Sequence, residues 1–113
     1  MNLDGLTIGE AKQIWQMFNT GQPEATSTHF FKVGKAYLIR TVTHITIGIV
    51  KEVGEKEILL SDASWIADTG RYHDALKEGS LGEVEPYVDD CGIGRGAIVD
   101  FTAWNHALPV VQK

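Results

Sequence analysis

Four residues with binding chemistry lie close together in the middle of the chain. Trp65, Asp68, Arg71 and Tyr72 fall within eight residues, in a segment without clear helical or strand periodicity. An arginine offers a planar fork that suits a phosphate or a carboxylate, and an aromatic ring can stack on a base. The cluster therefore predicts a ligand site. In the structural alternative, Trp65 and Leu76 cap the barrel and Asp68 forms an ion pair with Arg71.

Two further segments carry similar side chains. Arg95 lies in the run Gly92–Gly96, which is neither a Walker A loop nor a dinucleotide fingerprint, because no Gly-Lys-Ser/Thr and no helix follow it. Trp104–His106 combines an aromatic ring, an amide and an imidazole. A domain this small has little room for a large ligand, so a pocket shared between subunits is expected. The predicted ligand-binding residues are Trp65, Asp68, Arg71, Tyr72, Arg95, Trp104, Asn105 and His106.

The sequence favours a non-enzymatic protein. Its four histidines show no i, i+4 pairing and match no zinc or calcium spacing. The single cysteine, Cys91, and the serines lie in no nucleophile-elbow pattern. We therefore predict no catalytic residue, no metal and no cofactor. A phosphodiesterase that uses His44, His73 or His106 ranks last among the alternatives.

Composition narrows the class of protein. The chain has 113 residues, of which 43% are hydrophobic and 22% charged, as in an ordinary single globular domain. Ten basic and fifteen acidic residues give a net charge of −5, which argues against general nucleic-acid binding. No apolar run approaches the ~20 residues that span a bilayer, and the first residues carry no secretory signal. We expect an intracellular protein that does not bind membranes.

The chain divides into three predicted segments. Residues 1–21 form an amphipathic helix that begins at a capping box, Thr7–Glu10. Residues 22–32 are polar and form a linker or arm, and residues 33–113 form a β-rich core domain. The sequence leaves open whether the helix packs on its own domain or on a neighbouring subunit.

The core domain is predicted to be mainly β. Residues 33–63 are rich in β-branched and aromatic residues and predict a meander of three strands. Gly48, inside the second strand, indicates a bulge or a bend, which suits a small curled barrel of the SH3-like or Sm-like type. A short helix at residues 71–78, an edge strand at 83–88 and a last strand at 94–102 complete an α+β fold.

Several stretches of the core carry a resemblance to known proteins. They are Gly34–Thr43, Asp62–Tyr72 with Ala75–Leu76, Glu83–Pro86, Arg95–Asp100 and Trp104–His106. With these stretches, the segment 35–109 resembles a group of small proteins encoded by bacteriophages and prophages. The resemblance implies a phage or prophage origin. It implies no particular reaction and assigns no role to any residue.

Together these inferences predict a phage accessory protein that forms a homo-oligomer and binds a small ligand. The predicted role is anti-defence: capture of a nucleotide-type immune signal at a subunit interface, in the cytoplasm of the bacterial host. Because the chain is acidic, a site for an anionic ligand would have to be locally positive. The alternative is a virion or filament structural subunit, in which the N-terminal helix on its arm is exchanged between neighbouring subunits.

Overall fold

The structure, a computed structural model, describes residues 29–113, which form six antiparallel strands and one short α-helix. The predicted helix at 1–21 and most of the predicted linker lie outside the described residues. The elements are β1 (Ala36–Thr41), β2 (Ile45–Val53), β3 (Glu57–Asp68), α1 (Tyr72–Glu78), β4 (Glu83–Pro86), β5 (Cys91–Gly94), a 3₁₀ turn (Arg95–Ala97) and β6 (Ile98–Ala103). The mainly β, α+β class and the short helix after the third strand are confirmed.

The strands form one sheet that is not closed into a barrel. Its order is β4-β3-β2-β1-β6. β5 also pairs with β3: it runs along residues 57–60 of β3, on the same edge that β4 pairs with along residues 64–68. Only the three residues of the 3₁₀ turn separate β5 from β6, a distance of at most roughly 14 Å. The sheet must therefore curl to bring β5 towards its opposite end.

A bulge at Asp62 divides β3 into two halves. Ile49 pairs with Ser61 and Ile47 with Ser64, so β3 carries one extra residue at this point. Asp62 lies in the bulge with a φ of 49°, a backbone conformation that aspartate tolerates better than most residues. Because side chains alternate along a strand, one extra residue reverses the faces of all residues that follow.

Two hydrophobic cores result, one on each face of the sheet. Ile58 and Leu60, before the bulge, lie in the first core, and Ile66, after it, lies in the second. β1 serves both, because Tyr37 belongs to the first core and Leu38 to the second. The first core also holds Phe31, Ile39, Val50, Ala63, Cys91 and Ile93, and the second Ile47, Ala75, Leu81, Val84 and Trp104.

The predicted irregularity at Gly48 is confirmed, and the bulge explains it. The register of β2 and β3 shifts between Ile47 and Ile49. A Cβ atom on Gly48 would lie 2.9 Å from the Cβ atom of Ala63 and 3.1 Å from its Cα atom. The close approach of the bulged β3 therefore requires glycine at this position.

The C-terminal strand differs from the prediction. The sequence predicts a turn at 89–92 and one strand over 94–102, whereas a short strand begins at Cys91 and a 3₁₀ turn separates it from β6. Gly92, Gly94 and Gly96 explain the difference, because residues without side chains give no alternation of apolar and polar positions. No helix within residues 29–113 has the length and apolar character needed to cross a membrane.

Gly48→Ala is expected to destabilise the protein by about 1–3 kcal/mol, because its methyl group would overpack the contact with Ala63. Urea unfolding followed by circular dichroism measures the change. Gly96→Ala is the matched control, since a Cβ atom there meets nothing within 4 Å. Equal stability of the two variants would contradict the role given to Gly48.

Candidate functional site

The most promising site is a groove between the outer edge of β5 and the turn that joins β1 to β2. Its volume is about 240 Å³. We call it the β5 groove. The residues that line it are Thr41, His44, Thr46, Tyr87, Cys91, Gly92, Ile93, Gly94 and Ala97. It lies where the curl of the sheet brings β5 towards the end of β1 without closing a barrel.

One wall of the β5 groove is polypeptide backbone. The N–H of Arg95 donates to the carbonyl of Lys56 on the chain leading into β3, at 2.8 Å. Backbone directions alternate along a strand, so Gly92 and Gly94 point their N–H and C=O groups away from β3. A Cβ atom on either glycine would meet nothing within 4 Å. The carbonyl of Gly94, the N-cap of the 3₁₀ turn, accepts the first hydrogen bond of that turn, and the carbonyl of Gly92 accepts from Sγ of Cys91 at 3.9 Å. The edge therefore offers a ligand the N–H groups of the two glycines.

A buried hydroxyl faces the same groove. Thr46 is only 3% exposed, and its Oγ1 atom has no hydrogen-bond partner within residues 29–113. Ser64, the other buried polar residue of the described segment, donates its hydroxyl to the carbonyl of Pro109. A buried hydroxyl without a partner costs about 1–3 kcal/mol. A ligand atom in the groove could supply the missing hydrogen bond.

The imidazole of His44 forms part of the rim of the groove, and the indole of Trp65 lies beside it. The rings of His44 and Trp65 lie 5.6 Å apart between centroids, and Trp65 is 39% exposed. Nδ1 of His44 is 2.7 Å from the hydroxyl of Thr43, and its backbone N–H donates to Oγ1 of Thr41 at 3.1 Å. The turn thus holds the imidazole in place and leaves Nε2 unpaired among the described residues.

Tyr87 and Cys91 complete the lining. Burial raises the pKa of the Cys91 thiol, and a hydrogen bond with Tyr87 offsets part of that effect. Burial also raises the pKa of Tyr87, and the neighbouring thiol adds to the rise. Both groups are therefore protonated at neutral pH. The phenol can donate a hydrogen bond, but the thiol is a poor nucleophile, because thiolate is the reactive form.

The cluster around Arg71 lies on a different part of the fold. Asp68 accepts a hydrogen bond from the N–H of Gly70 at 2.8 Å and does not form the ion pair with Arg71 that the structural alternative predicted. Arg71 precedes α1, and its exposed guanidinium has no partner within residues 29–113. Tyr72 is half-buried beneath Arg40, whose guanidinium carbon lies 5.2 Å from the ring centroid.

The remaining predicted residues have structural contacts. Arg95 donates to the carbonyl oxygens of Gly54 and Glu55, at 2.8 and 3.2 Å, and so ties the 3₁₀ turn to the β2–β3 turn. Trp104 is 4% exposed, and its Nε1 donates to the carbonyl of Ala107 at 3.1 Å. Nε2 of His106 donates to the carbonyl of Leu76 at 2.8 Å.

The eight predicted residues therefore do not converge. Trp65 lies beside His44 of the β5 groove, Asn105 is exposed beyond the end of β6, and the others occupy the positions just described. Residue types and spacing do not predict a binding role for Thr46, Tyr87 or the edge of β5. The one available signal was the polar turn Thr41–Thr46 between two apolar strands.

The groove suits a neutral, planar and polar group. None of the described residues that line it is charged. Within the described part of the chain, no three His, Cys, Asp or Glu residues are grouped to hold a metal ion. Compared with known proteins, the chain matches no family model, no curated protein and no solved structure.

The thiol of Cys91 is expected to react slowly with an alkylating reagent at neutral pH, and the midpoint of its pH–rate curve should lie above that of the unfolded chain. A raised pKa in the folded state has this sign, because the thiolate then forms at higher pH. Stability should fall as the pH rises between the two pKa values. Since the chain has one cysteine, mass spectrometry reports this residue alone. A midpoint at or below that measured in urea would contradict the assignment.

Proposed function

We propose that this chain is a non-enzymatic accessory protein that self-assembles and binds the heterocycle of a nucleotide-type small molecule in the β5 groove. The observation that carries the proposal is the buried Thr46, whose hydroxyl has no partner within residues 29–113 and which lines the same groove as Gly92 and Gly94. The buried hydroxyl and the two outward N–H groups both gain from a ligand that brings hydrogen-bonding atoms of its own.

A heterocyclic base fits the chemistry of these groups. Its edge carries acceptors for the glycine N–H groups and a partner for the hydroxyl of Thr46, and its face can stack on His44, beside which Trp65 lies. Pockets for drug-sized ligands run to ~300–1,000 Å³, so a groove of about 240 Å³ suits one base-sized group. The charged part of a nucleotide would then extend outside the groove, towards solvent or a second subunit.

The lining supports binding without turnover. The buried thiol of Cys91 is protonated at neutral pH, and the lining residues within 29–113 include no carboxylate that could act as a base. The alternative of a phosphodiesterase relied on His44, His73 or His106. His73 lies on α1, and His106 is bonded to the carbonyl of Leu76, so only His44 lies at the groove.

The biological setting extends the same proposal. The resemblance of segment 35–109 to phage and prophage proteins supports a phage origin and a place in the cytoplasm of the bacterial host. A protein that holds a base without cleaving the molecule would sequester a host immune signal. We also propose that the fold is an open variant of the SH3-like or Sm-like barrels, and the bend of β3 and the curl of the sheet support this.

Thr46→Val is expected to weaken ligand binding at least roughly tenfold and to leave the unbound protein as stable as before or more stable. The substitution keeps the shape of the side chain and removes a hydroxyl that lacks a partner. Titration calorimetry against cyclic nucleotides and ADP-ribose derivatives measures binding, and urea unfolding measures stability.

Two histidine variants provide the matched comparison. His44→Ala should weaken binding, because it removes part of the rim, and His73→Ala on α1 should bind like the unmodified protein. If no compound of the panel gives heat and the purified protein carries no bound small molecule, the proposal fails. If the nucleotide is consumed during the titration, the protein is an enzyme and the non-enzymatic assignment is wrong.

A further inference from the structure

The two ends of the sheet differ in whether their outer edge is covered. At β4, the N–H of Val84 donates to the carbonyl of Lys113 at 3.1 Å, and the N–H of Lys113 donates back at 3.0 Å. Gln112 adds a side-chain hydrogen bond to Glu85 at 3.2 Å. The last residues of the chain thus cover this edge. At the other end, β6 pairs with β1 on one side and with no strand of the described segment on the other.

The hydrogen-bond pattern shows which groups of β6 face outward. The N–H of Trp104 donates to the carbonyl of Ala36 on β1 at 2.9 Å. By alternation, Asp100 and Thr102 also direct their backbone groups towards β1, and Phe101 and Ala103 direct theirs away from it. The regular part of β6 therefore presents two N–H and two C=O groups with no partner strand within residues 29–113.

β6 lacks most of the features that protect an exposed edge. It contains no proline and no lysine, and its one charged residue, Asp100, is bound by both Nε and an Nη atom of Arg40. A register irregularity at Val99 is confined to its first residues. Exposed apolar side chains border the edge, since Val99 is 60% exposed and Val42, just beyond the β1 end paired with β6, is 84% exposed.

We propose that β6 is a dimer interface, at which β6 of a second copy of this chain pairs antiparallel about a two-fold axis at Thr102. In this register Phe101 pairs with the partner's Ala103, and Ala103 with the partner's Phe101. All four outward backbone groups then make hydrogen bonds. The two sheets join into one continuous sheet of twelve strands, twice the six of one copy.

Side-chain complementarity favours a second copy at this register. Thr102 faces the partner's Thr102, a favourable cross-strand pair, and Asp100 faces the partner's Trp104, so no like charges are opposed. An axis at Phe101 would use the irregular Val99, and one at Ala103 would use Asn105, beyond the end of β6. Because both copies use their own β6 in this two-fold pairing, the contact is isologous and ends at two copies.

This inference rests on the self-assembly part of the proposed function and is independent of the ligand. Thr102→Lys tests it, because two lysines would face each other across the axis and should raise the dimer dissociation constant roughly tenfold or more. Val111→Lys is the control, since it adds the same charge at an exposed position of the C-terminal segment. Sedimentation of the full chain over a range of concentrations measures the assembly.

Dissociation of the Thr102→Lys variant alongside an intact Val111→Lys assembly supports the interface. A monomeric unmodified protein, or an assembly that Thr102→Lys does not weaken, overturns it.

Should Thr102→Lys not fold, Ala103→Pro removes one outward N–H at an edge position that tolerates proline. Amide exchange in the unmodified protein gives a further test: slow exchange at Phe101 and Ala103 supports pairing, and fast exchange overturns it. Ligand binding that persists in a dissociated variant separates failure of the interface from failure of the β5 groove.

Discussion

The bulge at Asp62 is the feature on which the rest of the structure depends. By adding one residue to β3, it turns the first half of that strand towards one core and the second half towards the other. The same strand can then accept β5 along its first half and β4 along its second. Gly48 accommodates the bulge because it has no side chain to collide with Ala63. Without the bulge, Ile58 and Ile66 would lie on the same face of the sheet, and the second core would lose Ile66.

Much of this fold could be predicted from periodicity and composition. The meander, the short helix ended by Gly79, and the irregularity at Gly48 each have a local cause in the sequence, and the structure contains all three. No local pattern in the sequence predicts the position of β5, because two of its four residues are glycine. The bulge cannot be predicted from the sequence either, because polar residues such as Ser61 and Asp62 usually indicate the end of a strand. For this reason the predicted third strand stops at residue 63, whereas β3 continues to Asp68.

The candidate site was harder to predict than the fold. The chemistry of arginine and tryptophan side chains predicts a ligand site, but Arg95 and Trp104 instead form hydrogen bonds that join parts of the fold to one another. The β5 groove draws its groups from the β1–β2 turn, from Tyr87 and from the backbone of two glycines. Which of these groups lack a partner depends on burial and on strand direction, and neither can be read from residue types. Thr46 is an ordinary strand residue in the sequence, and only the fold shows that it is buried with no hydrogen-bond partner for its hydroxyl within residues 29–113.

A sheet packed on both faces separates the parts of the molecule that maintain the fold from those that can diversify. Tyr37 and Leu38, neighbours in the chain, are fixed by opposite cores, so mutational drift along β1 is restricted at nearly every position. His44 and Tyr87 belong to neither core and lie where the sheet stays open. A lineage of such proteins could exchange these rim residues, and with them its molecular targets, while the scaffold stays unchanged.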